Sequence, residues 1–245
     1  MCRVFDIGDA EGWHYLSMEY VDGETLESLR RRIGRLPLEK SLDIARQLCA
    51  GLAAAHERGV LHRDLKQANI RLDGRGRIRI MDFGLAMSTL EGAISEIAGT
   101  PGYMAPEQLV REPITERTDL YALGLVLYEI FIGRPLFVAH TFEERLRLGL
   151  QPSPSFGPEI DPRVAAIIRD CLAKDPSERP TSASSVAALV PGCDQLAAAL
   201  AAGQVPSPDI VAAASTTGAL RPSIAWALRS PLWPVPSASR RARRF

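Results

Sequence analysis

The run "TDLYALGLVLYEIFI", residues 118–132, constrains the fold of this chain more than any other stretch. It is apolar nearly all round rather than along one stripe, and a helix without a polar face is stable only where other elements enclose it. Gly133 and Pro135 follow directly and end it. The chain therefore has to build a helical domain thick enough to bury one helix on every side. Its 245 residues, 46% of them hydrophobic, suffice for one such domain.

The surrounding pattern agrees. Leu38, Leu42, Ala45, Leu48, Leu52 and Ala55 recur at the spacing of one helix face, with Gly59 as a stop beyond His56. Asp161 and Pro162 read as N-cap and first residue of a helix closing near Lys174 and Pro176, and a further helix follows Thr181. "VFDIG" and "HYLSMEYV", residues 4–8 and 14–21, read as two short strands. "NIRLD" and "RIRIMD" alternate around the turn-prone "DGRG" and read as a hairpin. The expectation is an α+β chain, mostly helical beyond residue 37, with a small β element. From residue 191 onward only "DQLAAALAAG" reads as a short helix. "VPSPD" and "SPLWPVPSASRRARRF" are rich in Pro, Ser and Arg and read as linker or disorder.

Composition excludes several function classes. The formal net charge is zero, so the whole molecule offers no electrostatic case for nucleic acid. The charge is uneven: after Asp209 no acidic residue occurs, whereas Arg221, Arg229, Arg240, Arg241, Arg243 and Arg244 do. The basic end reads as a solvated terminus, a frameshifted end or an acidic-lipid contact. Four widely spaced cysteines with no CxxC read as reduced thiols rather than a metal site or disulfide frame. No apolar run approaches the ~20 residues of a membrane span. The N-terminus lacks a signal peptide's basic start and apolar core, so a cytoplasmic location is expected.

The chemistry concentrates in "LHRDLKQANIRLDGRGRIRIMDFGLA", residues 61–86. Asp64, Lys66 and Asn69 fit on one loop, and the hairpin brings Asp82 back beside them. Phosphoryl transfer needs such a set: a carboxylate to orient an acceptor hydroxyl, a cation near the transferring group, and oxygen ligands for hard Mg²⁺.

These motifs resemble those of the protein kinases, specifically bacterial Ser/Thr kinases of the eukaryotic-like (Hanks) type. "HRDLKQAN" looks like the catalytic loop, "DFG" the metal-binding motif and "GTPGYMAPE", residues 99–107, the end of the activation segment. The resemblance covers roughly residues 1–190. It implies residual small-lobe strands and hinge over 1–23, a helical large lobe over 24–190, and a basic tail over 191–245. It implies Asp64 as the catalytic carboxylate, Lys66 on the transferring phosphate, and Asn69 and Asp82 on two Mg²⁺ ions. Glu19 and Val21 would offer backbone groups to the adenine of ATP, with Met18 behind them. His62 and Phe83 would stack beneath the site, Thr100 would contact Asp64, Asp119 would brace the catalytic loop, and Glu107 would pair with Arg179. Arg63 would meet a phosphorylated activation loop, for which Ser88, Thr89 and Ser95 are the candidate acceptors or plain loop residues.

The implied function is transfer of the ATP γ-phosphate to Ser/Thr hydroxyls of a protein substrate. The sequence also departs from the pattern. No G-x-G-x-x-G and no V-A-I-K occurs in it, and the expectation is an N-terminally truncated kinase, inactive or severely impaired as an isolated chain. A non-catalytic binding module or truncated gene fragment, associating with another kinase chain through an exposed small-lobe face, is the alternative. Relatives are often membrane-anchored; a small-molecule phosphotransferase is disfavoured by "GTPGYMAPE". Gln67 replaces a usual Pro, and Met81 a small or hydroxyl residue. Arg71 stands where an apolar residue normally lies beneath adenine, and it either stacks, snorkels outward or sits at an exposed edge.

Overall fold

The helix forecast as wholly buried organises the structure, a computed structural model that describes residues 4–10, 13–83, 100–149 and 154–192. It is the fourth of seven helices among these residues: α1 (Leu26–Ile33), α2 (Leu38–His56), α3 (Pro106–Leu109), α4 (Glu116–Ile132), α5 (Phe142–Gly149), α6 (Pro162–Cys171) and α7 (Ala183–Leu189). Every residue of α4 from Thr118 to Phe131 is buried. Thr115 caps it: its hydroxyl accepts from the Arg117 N–H at 3.3 Å, and its own N–H donates to Thr118 Oγ1 at 3.2 Å. Gly133 ends it in a left-handed conformation, φ +85°, which glycine adopts without steric cost.

Around α4 pack α2 and α6, and α7 closes over α2. Leu48, Leu52, Leu120, Leu123, Val126 and Ile168, from three of these helices, are essentially solvent-free and belong to one apolar cluster. The α4–α6 approach depends on Gly124. A Cβ there would lie 2.8 Å from Cys171 Cβ and 3.1 Å from Leu172 Cδ2. Cys171 and Cys49 are both buried in this core.

Two small antiparallel sheets complete the fold. β1 (Val4–Ala10) pairs with β2 (Trp13–Met18), with Ile7 opposite Leu16. In the second, β3 (Glu24–Thr25), β4 (Ile70–Leu72) and β5 (Ile78–Ile80) lie in that order. Ile70 and Ile80 face each other and are buried, with Ile80 set against the surface of α2 at Gly51. Side chains alternate along a strand, so the intervening pair, Arg71 and Arg79, shares the opposite face. Gln47 of α2 ties the hairpin down, accepting the Ile78 N–H at 2.8 Å.

The architecture is the α+β one expected, and α2 spans the expected residues. The differences are local. Helix begins at Leu26 rather than beyond residue 37: α1, "LESLRRRI", carries Leu26, Leu29 and Ile33 at helical spacing and buries the two leucines. Thr25 caps it, accepting the Ser28 N–H at 3.1 Å. β2 stops at Met18, short of Val21, and α6 stops at Cys171. β3 is a two-residue strand too short to carry a pattern. The helix read in "DQLAAALAAG" and the Arg-rich tail lie outside the described residues. Among the described residues no helix is long and apolar enough to cross a membrane.

Because Gly124 admits no side chain, Gly124→Val should lower the unfolding free energy by about 2–3 kcal/mol despite valine's better helix propensity. Urea denaturation followed by circular dichroism would measure it.

Candidate active site

The N-terminal turn of α4 carries the anchor of the site. Asp119, whose side chain is solvent-free, accepts three hydrogen bonds. The backbone N–H of His62 donates at 2.7 Å, that of Arg63 at 2.8 Å, and His56 Nε2 lies 2.8 Å away. Two successive N–H groups reach one carboxylate because Arg63 takes a left-handed conformation, φ +69°. A buried ionised carboxylate is tolerated only when so satisfied. His56 is the partner that the sequence reading missed. Its signal was a histidine closing α2 six residues before His62, on a face otherwise apolar.

From this anchor the loop runs forward. Asp64 Oδ2 lies 2.6 Å from Lys66 Nζ, and Asp64 Oδ1 accepts the Thr100 N–H at 3.0 Å. Lys66 Nζ also donates to Thr100 Oγ1 at 2.6 Å. Asn69 Nδ2 donates to the Asp64 carbonyl at 2.9 Å and to Asp64 Oδ2 at 3.3 Å. Asn69 is thus tied to Asp64 through its amide nitrogen. Asp64 and Lys66 each keep about a quarter of their side-chain surface exposed, so a substrate group can reach them.

The Asp82 strand end is stitched to the same loop through Met81. Met81 N–H donates to Asn69 O at 2.8 Å, and its carbonyl lies 2.9 Å from His62 Nε2. Burial lowers the His62 pKa, so the ring is neutral and Nε2–H is the donor to that carbonyl. The His62 and Phe83 rings sit 4.7 Å apart, tilted by 48°. Asp82 itself is held at φ +59°. A left-handed aspartate is uncommon.

The segment after Thr100 is fixed by polar groups buried beneath it. Glu107 and Arg179 form a two-pronged ion pair at 2.7 and 2.8 Å, and Arg179 also donates to the carbonyls of Ala173, Lys174 and Arg117. Arg145 of α5, fully buried, donates to Met104 O at 2.8 Å and to the Tyr121 hydroxyl at 2.9 Å, with its guanidinium 4.1 Å from the Phe137 ring centre. Tyr103 donates to Glu129 Oε2 at 2.7 Å. Gln67, read from sequence as a mild replacement, is buried and accepts from Arg30 Nε at 2.9 Å, joining α1 to the loop. Sequence reading had singled out none of Glu129, Arg145 or Arg30, because each works through contacts between distant segments.

At the other end of the site, Glu19–Val21 connect β2 to β3. The Arg71 side chain reaches this connection: Nη1 donates to Gly23 O at 2.9 Å and to Val21 O at 3.3 Å. The Arg71 side chain is turned onto the connecting backbone, partly exposed. Ser88, Thr89 and Ser95 lie outside the described residues.

A helical lobe thus carries Asp64, Lys66 and Asn69 on one loop, with the strand end at Met81 and Asp82 stitched to it. The model of the protein kinase domain family matches residues 1–189. A probable serine/threonine-protein kinase of Streptomyces coelicolor is 35% identical over 203 residues, covering 78% of this chain and 30% of that protein. The serine/threonine-protein kinase PknB of Mycolicibacterium smegmatis is 32% identical over 76% of this chain and 32% of its own length. PknA of Mycobacterium tuberculosis is 34% identical over 79% of this chain and 44% of its own length. The chain belongs to the protein kinase family, among bacterial serine/threonine kinases of the Hanks type. It spans under half the length of these curated relatives.

Burial pushes the Glu129 carboxyl up to about 7 from a usual value near 4.5. A raised folded-state pKa means that the folded protein holds this proton more tightly than the unfolded chain. The resulting stabilisation is complete below about pH 4.5 and is lost as pH rises through about 7. Glu107 is shifted the opposite way, chiefly by its bond to Arg179 acting against the desolvation of burial, and its contribution declines only as pH falls below the usual carboxylate range. Unfolding free energy should therefore drop by up to about 3 kcal/mol between roughly pH 5 and 7.5 through Glu129. Glu129→Gln should flatten that slope in urea titrations across the pH series.

Proposed function

We propose that this chain acts in Ser/Thr protein phosphorylation, with Asp64 orienting and deprotonating the acceptor hydroxyl. The observation that carries this reading is the Asp64–Lys66–Thr100–Asn69 cluster. Thr100 N–H and Asn69 Nδ2 fix the Asp64 carboxylate in place, and Lys66 Nζ lies 2.6 Å from it. A carboxylate so fixed can accept a hydrogen bond from a serine or threonine hydroxyl and take its proton as the new P–O bond forms.

The donor set fits Mg²⁺. Asn69 supplies an amide oxygen and Asp82 a carboxylate, both hard ligands. Among the described residues no group of three or more His, Cys, Asp or Glu side chains could hold a metal unaided. Two protein oxygens completed by phosphate oxygens is the usual Mg²⁺ arrangement. Asn69 and Asp82 would hold the ions, and MgATP would supply the transferable γ-phosphoryl group. Lys66 would neutralise charge developing on that group. Residues 100–107, braced by Arg145, Tyr103–Glu129 and Glu107–Arg179, form the shelf for the acceptor peptide. Arg63, whose guanidinium has no partner among the described residues, suits a phosphate on the preceding segment.

One observation favours a second reading, a kinase-fold module that binds a partner without turnover. Arg71 places a cation where a purine would need an apolar floor.

The two readings separate in one assay with γ-labelled ATP, Mg²⁺ and a generic Ser/Thr-containing protein. The phosphotransfer reading expects label on serine and threonine, falling about a thousandfold in Asp82→Ala. Incorporation by the wild-type protein no greater than that of Asp82→Ala would leave the binding-module reading.

A further inference from the structure

We propose that Arg145 is a positioning residue for the protein substrate: its guanidinium holds the Met104 carbonyl, and through it the backbone of residues 100–105 against which an acceptor peptide lies. This rests on the phosphotransfer reading above, in which those residues form the peptide shelf. It assigns to Arg145 a part in gripping the peptide and none in gripping the nucleotide.

Three observations carry it. First, α5 buries an arginine in preference to a leucine. Arg145 is fully buried while Leu146 beside it stays 39% exposed, the reverse of what apolar burial alone would favour. Second, the arginine is poorly satisfied where it lies. Nη2 makes both of its hydrogen bonds, to Met104 O at 2.8 Å and to the Tyr121 hydroxyl at 2.9 Å, whereas Nε and Nη1 have no partner among the described residues. Arg179, by contrast, bonds through all three of its nitrogens, two of them to the Glu107 carboxylate. The Phe137 ring, 4.1 Å from the Arg145 guanidinium, offsets only part of the cost of burying a cation with no carboxylate bonded to it. Third, the bond to Met104 falls at the end of the shelf's own turn. Tyr103 N–H donates to Thr100 O at 2.8 Å and Met104 N–H to Pro101 O at 3.2 Å, which closes the 3-10 turn Pro101–Tyr103. The Met104 carbonyl is the next polar group along the backbone, and Arg145 fixes it. The Phe137 carbonyl also lies beside Gly102 of that turn, 3.5 Å from where a Cβ would stand.

A buried charge so incompletely paired, held where a leucine could lie, contributes little net stability. Its place is explained by its bond to residue 104. The Asp64 carboxylate is held by Thr100 N–H, Lys66 and Asn69, through bonds that do not pass through Arg145. Removing the guanidinium therefore loosens the peptide shelf and leaves the phosphate end in place. The acceptor peptide loses a defined surface, which weakens its binding before the phosphoryl chemistry is touched.

The test is steady-state kinetics with γ-labelled ATP, Mg²⁺ and a generic Ser/Thr-containing protein, run on the full chain, Arg145→Met and Tyr121→Phe, with amide hydrogen exchange on the same proteins. Arg145→Met should raise KM for the protein substrate about tenfold while KM for ATP stays within about twofold. The amides of residues 103–105 should exchange about tenfold faster in Arg145→Met, with those of α4 unchanged. Tyr121→Phe removes the other bond and leaves Met104 bonded, so its protein KM should stay within about twofold of wild type. An unchanged protein KM in an active Arg145→Met, or a rise shared equally by both KM values, overturns the inference alone. Absence of label transfer by the wild-type protein overturns the phosphotransfer reading and the inference with it. Should Arg145→Met fail to melt cooperatively, Arg145→Lys substitutes for it. One ammonium cannot reproduce both bonds and the flat contact with Phe137, so its protein KM must exceed that of wild type by at least about threefold or the inference falls.

Discussion

A buried carboxylate, Asp119, sets the geometry on which the remainder of the site is built. It sits on the one helix that the core encloses completely, so its position is as rigid as the packing around Leu120 and Leu123. Its three bonds reach the end of α2 and two successive backbone amides of the loop. The loop's start is thereby fixed relative to the most rigid element available. Asp64, one residue further on, inherits that fixation. The left-handed Arg63 is the local conformational cost of aiming both amides at one group, offset by satisfying a charge that would otherwise be stranded.

Residues 100–109 are held differently, by charged side chains buried among apolar ones. Arg179 makes bonds to three carbonyls besides Glu107, and Arg145 makes two bonds while resting on an aromatic ring. Such groups are poor sources of net stability, since desolvation consumes most of the attraction. Their value is geometric: a guanidinium bonded to several carbonyls admits few alternative arrangements of the segments it joins. Residues 100–109 have little regular structure of their own, only a single 3-10 turn and a four-residue helix. Arginines bonded across the fold supply the order that a longer helix would otherwise give.

The connection between β2 and β3 is held by an arginine. Arg71 of β4 faces it and donates to the backbone carbonyls of Val21 and Gly23. Alternation on a three-residue strand makes the effect unavoidable: with Ile70 and Leu72 committed to one face, residue 71 must present its side chain to the other.

The sequence by itself determined the class of fold and the location of the chemistry. The span of α2, the enclosure of α4, the hairpin and the loop bearing Asp64, Lys66 and Asn69 all follow from short-range pattern: periodicity, turn residues and motif spacing. Helix α1 escaped because its apolar period, Leu26, Leu29 and Ile33, lasts only two turns among four charged residues. Strand β3 escaped because two residues have none. Tertiary structure alone decided which polar side chains meet. His56 with Asp119, Tyr103 with Glu129, Arg145 with Met104 and Arg71 with Val21 and Gly23 are separated by 63, 26, 41, and 50 and 48 residues. A hydrogen bond is directional and short-ranged, so its partner is fixed only once the core has set where each backbone segment lies. Hydrophobic pattern places the elements; only their packed positions choose the bonds.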